Sequence, residues 1–143
     1  MPKRNTDVTL EDYRALAEFR YQLRLYLALS DHAAESAGLH PGQYRFLLTL
    51  KGLPDGTEPT ISNLAERLGL RHHSTVELVD RLVEGGLIYR ERSERHRSYV
   101  FVRITKKGET VMRKLVASRK MELQRAGPLL VKALNTLTKK GKR

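Results

Sequence analysis

The chain has 143 residues, of which 40% are hydrophobic and 30% charged, and its formal net charge is +11. A chain of this length and composition is expected to fold as one soluble domain with its own core. It has no cysteine, which excludes disulfides, thiolate zinc sites and thiol redox switches. Because no apolar run approaches the roughly 20 residues of a membrane-spanning helix, and the start is polar, we expect a cytoplasmic protein.

The positive charge is unevenly distributed. Residues 1–40 are close to neutral, whereas residues 90–107 contain seven Lys or Arg and two Asp or Glu, a net charge of +5. Residues 113–143 have a net charge of +9. Basic surfaces are typical of proteins that bind nucleic-acid phosphates or, less often, anionic lipid. Solvated helices explain the second stretch equally well, but the first lies between two helical regions and favours phosphate contact.

The first helical pattern runs from Leu10 to Ala37, with apolar residues at steps of three and four. A helix of that length measures about 40 Å, which exceeds what one small core requires. We therefore predict that one side packs on its own core and the other on a partner. Gly38 ends this helix, and Pro41 is the first residue of a second helix that ends near Gly52.

The stretch from Thr60 predicts two short helices. Thr60 is a good N-cap for the first of them, and Gly69 is placed to close it in the left-handed conformation. The second runs from about His72 to Glu84. Its buried stripe is predicted to contain four residues: Val76, Val79, Leu82 and Val83.

Two β-like runs follow a Gly85-Gly86 stop, one beginning at Leu87 and the other covering Tyr99 to Ile104. Their connection, RERSERHR, lacks the Gly, Asn or Pro of tight hairpins, so we predict a long, mobile tip. Thr105 then caps a helix that is expected to reach about Leu123. Gly127-Pro128 is expected to break it before a last helix. The inward residues of the capped helix are predicted to be Val111, Met112, Leu115 and Val116.

The order helix, tight turn, helix and hairpin is that of a winged helix-turn-helix, which presents a helix and a basic ribbon to DNA. Three segments, LAERLGL, TVELVDRLVEGGLIYR and VFVRITKKGE, resemble the MarR family of bacterial and archaeal transcriptional regulators. The resemblance covers nearly the whole chain. It implies a mainly α fold with a small β-hairpin wing, in a single domain over residues 1–143.

In that family fold, the winged helix-turn-helix corresponds to about residues 41–105, and long terminal helices at about 8–38 and 106–138 form a dimerisation region. The resemblance implies a homodimer that binds a pseudo-palindromic operator. Family members commonly act as repressors. Many release DNA when a small, often aromatic, effector binds between the dimerisation and DNA-binding regions.

Three features of the sequence depart from the family pattern. The family usually begins its recognition helix with Ser or Asp and then Pro, whereas this chain has Arg71 and His72, so the usual cap is absent. The family's Asp-x-Arg pair in the wing falls on His96 and Ser98, and neither residue matches. Before the second helix, His40 occupies a position where a Ser or Thr cap is usual.

Polar side chains at the front of a recognition helix are placed to contact base edges in the major groove, and wing arginines to contact phosphates or the minor groove. Arg95 and Arg97 lie beside the unmatched wing positions and are the expected substitutes for the missing pair. Arg90 and Arg92 have an alternative role, an ion pair with a neighbouring helix. Glu77 either accepts a hydrogen bond from a cytosine amino group or pairs with Arg81, and we favour the pair. The predicted DNA-binding residues are Arg71, His73, Ser74, Arg90, Arg92, Arg95 and Arg97.

Four tyrosines are candidates for an effector pocket between the first two helices, with core or dimer packing as the competing role: Tyr13, Tyr21, Tyr26 and Tyr44. We expect no metal site. His72 and His73 are adjacent on a helix and point about 100° apart, and the remaining histidines lie on separate elements. We also expect no cofactor and no catalytic residue.

Together these observations favour a dimeric, sequence-specific DNA-binding transcription factor. An enzyme is disfavoured, because the chain has no Gly-rich phosphate loop, no HExxH motif and no recognisable Ser-His-Asp grouping. A third class stays open as the alternative. It comprises a sequence-indifferent, nucleoid-type nucleic-acid binder and a basic protein on an anionic membrane surface.

Overall fold

The structure, a computed structural model, describes residues 7–95 and 99–139. These residues form two compact units, one comprising His32–Val116 and the other the described parts of Met1–Asp31 and Ala117–Arg143. The mainly α architecture with a two-stranded hairpin confirms the predicted fold class. The elements are α1 (Leu10–Ser36), α2 (Pro41–Lys51), α3 (Ile61–Leu68), α4 (His72–Glu84), β1 (Ile88–Arg92), β2 (Val100–Ile104) and α5 (Lys106–Thr138).

Helix α2 is capped by a histidine. The Nδ1 atom of His40 accepts a hydrogen bond from the Gly42 N–H at 3.0 Å, and Gln43 Oε1 accepts one from the His40 N–H at 3.0 Å. Pro41 at the first helical position has no N–H to leave unsatisfied. His40 Nδ1 therefore caps α2 as the side-chain oxygen of Ser or Thr would at this position.

Helices α3 and α4 form the predicted helix-turn-helix. Thr60 Oγ1 accepts a hydrogen bond from the Asn63 N–H at 3.2 Å and caps α3. Gly69, with φ of 67°, closes α3 in the left-handed conformation, where a glycine has no side chain to strain. Both predicted caps are confirmed.

The inward face of α4 differs from the predicted stripe. Thr75, Val79 and Leu82 are fully buried, whereas the predicted Val76 and Val83 are only half-buried. A polar residue is tolerated at this buried position because Thr75 Oγ1 donates a hydrogen bond to the Arg71 carbonyl at 2.9 Å. The predicted stripe included only apolar residues, and Thr75 was therefore not among them.

The hairpin is antiparallel, with Ile88 opposite Ile104 and Arg92 opposite Val100. A second connection fixes β2 to the chain before α3: the Val102 N–H donates to the Pro59 carbonyl at 2.8 Å, which the sequence did not predict. Among the described residues of the tip, the Ser93 N–H donates to the Tyr99 carbonyl at 2.9 Å. The rest of the predicted mobile tip, residues 96–98, lies outside the described residues.

The core of the His32–Val116 unit lies between its helices and the inner face of the hairpin. The side chains at its centre are apolar and come from α2, α3, α4 and both strands, so burial of this one core orders all five elements. The largest fully buried apolar residues are Phe46, Leu47, Leu64, Val79, Leu82, Ile88 and Val102.

Helix α5 is continuous, and the predicted break at Gly127-Pro128 is wrong. The structure places Pro128 inside one helix of 33 residues. Proline removes one main-chain hydrogen bond from a helix interior, and α5 continues through Pro128 despite that loss. Val116, predicted to point inward, is 39% exposed.

The unit formed by residues 7–31 and 117–139 exposes many large apolar side chains. Leu16 is 51% exposed, Val131 55% and Met121 70%. None of the helices in the described part of the chain is both long enough and apolar enough to span a membrane.

The start of α5 passes very close to the main chain after α4. Thr105 Oγ1 accepts a hydrogen bond from the Gly108 N–H at 3.1 Å and caps the helix, as predicted. A Cβ atom at Gly108 would lie 2.4 Å from the Leu87 carbonyl oxygen and 2.7 Å from Ile104 Cγ1. Only glycine therefore allows this approach.

We predict that Gly108→Ala destabilises the protein by about 1–3 kcal/mol, because the added methyl group forces the two backbones apart. Gly127→Ala is the matched control in the same helix, since a Cβ there meets no atom within 4 Å. It should stabilise the protein by about 0.5–1 kcal/mol through helix propensity. Denaturant unfolding of both variants measures the difference, and equal effects would contradict the proposed close approach.

Candidate nucleic-acid interface

The front of α4 presents uncapped backbone and cationic side chains. Arg71 is the N-cap residue, and its side chain makes no cap hydrogen bond, as the sequence predicted for this position. Arg71, His72 and His73 are exposed and Ser74 is half-buried. The free N–H groups and the positive end of the helix dipole favour an anion here, and a phosphate oxygen is a suitable one.

The predicted pair between Glu77 and Arg81 is not formed. Both side chains are exposed, and no ion pair joins them in the structure. The favourable spacing contributes only a few tenths of a kcal/mol on a helix surface, which is too little to fix two long side chains. The outer face of α4 thus keeps both groups available to solvent or to a ligand.

Arg90 connects the hairpin to α4. Its Nη2 atom donates to Asp80 Oδ1 of α4, in a pair whose side chains are partly exposed. Arg90 lies opposite Val102 and Arg92 opposite Val100. Because side chains alternate along a strand, both arginines share a face of the hairpin with the buried Ile88. The helix-pairing alternative is therefore observed for Arg90. Arg92 has no partner among the described residues and keeps its predicted role in DNA binding.

The opposite face of the hairpin includes a cation that the sequence reasoning missed. Arg103 Nε lies 3.6 Å from Glu91 Oε1, and its Cζ lies 5.4 Å from the centre of the Phe101 ring. Strand alternation places Arg103 between Val102 and Ile104 and could have identified it. Most arginines of this region lie near the hairpin tip in the sequence, and Arg103, alone in the second strand, was therefore overlooked.

The tip contains the two arginines expected to replace the family's wing pair. Arg95 is exposed and follows the buried Ser93 by two residues. Arg97 lies outside the described residues, as do His96 and Ser98. The role of all of them in DNA binding remains a prediction.

The four candidate tyrosines have different environments. Tyr44 is buried in the core of the His32–Val116 unit. Within the other unit, Tyr13 is 67% exposed, Tyr21 lines a shallow groove of α1, and the Tyr26 ring lies 6.0 Å from Arg119 Cζ. The described residues include no cluster of three or more His, Cys, Asp or Glu side chains that is arranged to hold a metal ion.

The sequence profile of the MarR family matches residues 37–97, the stretch that contains α2, α3, α4 and β1. The winged helix-turn-helix is thus similar to that of the MarR family. The uncharacterized HTH-type transcriptional regulator YfiV of Bacillus subtilis (strain 168) is 33% identical over 70 residues, which are 49% of this chain and 44% of YfiV. The chain thus matches less than half the length of that relative.

Solved structures extend the likeness to the terminal helices. AbsC, a MarR family transcriptional regulator from Streptomyces coelicolor, has a TM-score of 0.71 at 21% identity and covers 96% of this chain and 94% of its own. A MarR family protein from Bacillus stearothermophilus has a TM-score of 0.61 at 26% identity, with 79% of each chain covered. These values show that the likeness in fold to MarR family structures extends to α1 and α5.

We predict that Asp80 and Arg90 interact favourably by about 0.2–1 kcal/mol at low ionic strength, as partly exposed pairs do. A double-mutant cycle with Asp80→Asn and Arg90→Gln, measured by denaturant unfolding, gives this coupling, which should shrink as NaCl is added. Glu77→Gln is the control, since Glu77 is exposed on the same helix without an ion-pair partner among the described residues. If the effects of the two substitutions on the free energy of unfolding simply add, the ion pair contributes nothing to stability.

Proposed function

We propose that the protein is a sequence-specific transcriptional regulator that binds double-stranded DNA as a homodimer and represses from a pseudo-palindromic operator. The proposal rests on one observation. The uncapped, cationic front of α4 and the arginine-rich hairpin belong to the same compact unit, and the Arg90–Asp80 ion pair joins the hairpin to α4.

The front of α4 suits the major groove. An α-helix fits that groove, and the groove edge of each base pair has its own pattern of donors and acceptors. Arg71 can donate two hydrogen bonds to guanine, whereas His73 and Ser74 can donate to or accept from a base edge. Because these three side chains neither cap α4 nor bridge it to another described residue, they can bind without first breaking an interaction within the protein.

The hairpin suits the phosphate backbone and the minor groove. Arg92 is exposed and unpaired among the described residues, and Arg95 is exposed near the tip. These two residues and Arg97, the next arginine in the sequence, give this segment a dense positive charge. Each phosphate that is neutralised releases counterions, so affinity should fall steeply with salt.

A homodimer is supported by the exposed apolar surface of α1 and α5. Monomeric soluble proteins rarely expose large contiguous apolar patches, and the Leu16, Met121 and Val131 side chains are more than half exposed. A second copy would cover this surface. A two-fold dimer places two recognition helices on one face of the duplex, which explains why the operator should be palindromic.

We also propose that a small aromatic effector modulates DNA binding. Support comes from the family resemblance and from BpsR of Bordetella bronchiseptica, a similar structure with a TM-score of 0.58 at 16% identity, covering 75% of this chain and 79% of its own. DNA binding by BpsR is regulated by 6-hydroxynicotinic acid. Of the four candidate tyrosines, Tyr13, Tyr21 and Tyr26 keep exposed surface for a ligand, whereas Tyr44 is used in the core.

Selection of bound duplexes from a random pool tests the function. The enriched sequence should be palindromic, with half-sites about 34 Å apart, and should bind roughly 10³-fold more tightly than random duplex at fixed salt. The same selection with His73→Ala should enrich a half-site altered at one position. Equal affinity for selected and random duplex would instead support the sequence-indifferent nucleic-acid binder.

A salt titration tests the wing. Arg95→Ala combined with Arg97→Ala should weaken binding to selected and random duplexes alike, and should lower the salt slope by about 0.9 for each phosphate that is no longer neutralised. The control combines Arg113→Ala with Lys114→Ala, which removes the same charge from exposed positions of α5. If both double variants flatten the slope equally, net charge and not the hairpin determines affinity.

A further inference from the structure

The first turn of α5 is bonded to the turn that ends α4. Thr105 Oγ1 donates to the Gly86 carbonyl at 2.6 Å, and the Thr105 N–H donates to the Leu87 carbonyl at 3.0 Å. Lys107 Nζ donates to the Gly85 carbonyl at 2.8 Å. We call this set the α5 junction; it consists of Gly85, Gly86 and Leu87 on one side and Thr105, Lys107 and Gly108 on the other.

The bond from Lys107 has a clear electrostatic reason. Gly85 is the C-cap residue of α4, and the last carbonyls of a helix lack partners within the helix. An ammonium group there satisfies a carbonyl and interacts favourably with the negative end of the helix dipole. The aliphatic part of Lys107 also crosses Gly86, where a Cβ atom would lie 3.9 Å from Lys107 Cδ. Lys107 therefore holds the end of α4 by both packing and charge.

A second bond fixes the same turn of α5 from the other side. Glu109 Oε1 accepts from Lys51 Nζ of α2 at 2.8 Å. Gly108 meanwhile allows the Leu87 carbonyl to approach without an intervening side chain. The first turn of α5 is thus attached to α2 and to the end of α4, and α4 cannot pivot at its C-terminal end without breaking the α5 junction.

We propose that Lys107 and Thr105 are positioning residues for DNA recognition, an inference that rests on the proposed function. Their bonds hold the C-terminal end of α4, whereas the residues expected to contact bases lie at its front. Helix α4 has 13 residues. A helix of that length measures roughly 20 Å, so a tilt of about 10° at one end displaces the other by about 3 Å. Such a displacement breaks base-edge hydrogen bonds, whose geometry is narrow, and leaves nonspecific phosphate attraction largely intact.

The test compares two neighbouring lysines. Lys107→Met keeps the aliphatic stem and removes the donor. Lys106→Met is the matched control, because Lys106 is exposed and its ammonium has no partner among the described residues. Lys107→Met should weaken binding to the selected operator roughly tenfold more than Lys106→Met, as expected for loss of one charge-assisted hydrogen bond. Both variants should bind random duplex equally, with the same salt slope.

Lys107→Arg provides the rescue arm, since it keeps a cationic donor and should recover most of the operator affinity. Thermal unfolding of every variant, with binding measured well below the melting temperature, separates a loss of folding from a loss of positioning.

If Lys107→Met lowers the salt slope by about 0.9 relative to the control, Lys107 contacts a phosphate and the positioning role is wrong. Equal operator affinities for the two methionine variants would also overturn it. Failure of the proposed function would be recognised separately, because wild-type protein would then not distinguish operator from random duplex.

Discussion

The geometry of the interface depends on how α4 is held in place. Its inner face is fixed by burial of Val79 and Leu82, and its C-terminal end is fixed by hydrogen bonds, because the turn after α4 receives the α5 junction. Burial supplies most of the free energy but is not directional, whereas the hydrogen bonds set the orientation. A helix used for recognition needs both.

The hairpin is attached to the same framework at several points. One strand pairs with the chain before α3 through the Val102 N–H, and the other contacts α4 through Arg90 and Asp80. Arg90 is thus engaged in an ion pair within the protein, whereas Arg92 and Arg95, farther along the hairpin, are exposed. Under the proposed function, Arg90 orients the wing and the exposed arginines attract phosphates.

Much of this arrangement could be predicted from local sequence. The bounds of α4, the caps at Thr60, Gly69 and Thr105, and the winged helix-turn-helix order follow from interactions between residues that are close in the chain. The terminal helices were less well predicted. Pro128 indicated a break because proline removes a main-chain hydrogen bond, but the helix continues through it. Thr75 was missed because its burial depends on a hydrogen bond and not on hydrophobicity.

The sequence by itself determined which elements form, where most of them begin and end, and that a cationic hairpin follows a cationic helix front. These features depend on backbone preferences and on side chains within about four residues of one another. Only the tertiary structure decided that Arg90 pairs with Asp80, that Lys107 bonds to Gly85, and that Gly108 meets the Leu87 carbonyl. The partners in these interactions lie on different elements, and their distances are set by the packing of the whole unit, which no local pattern encodes.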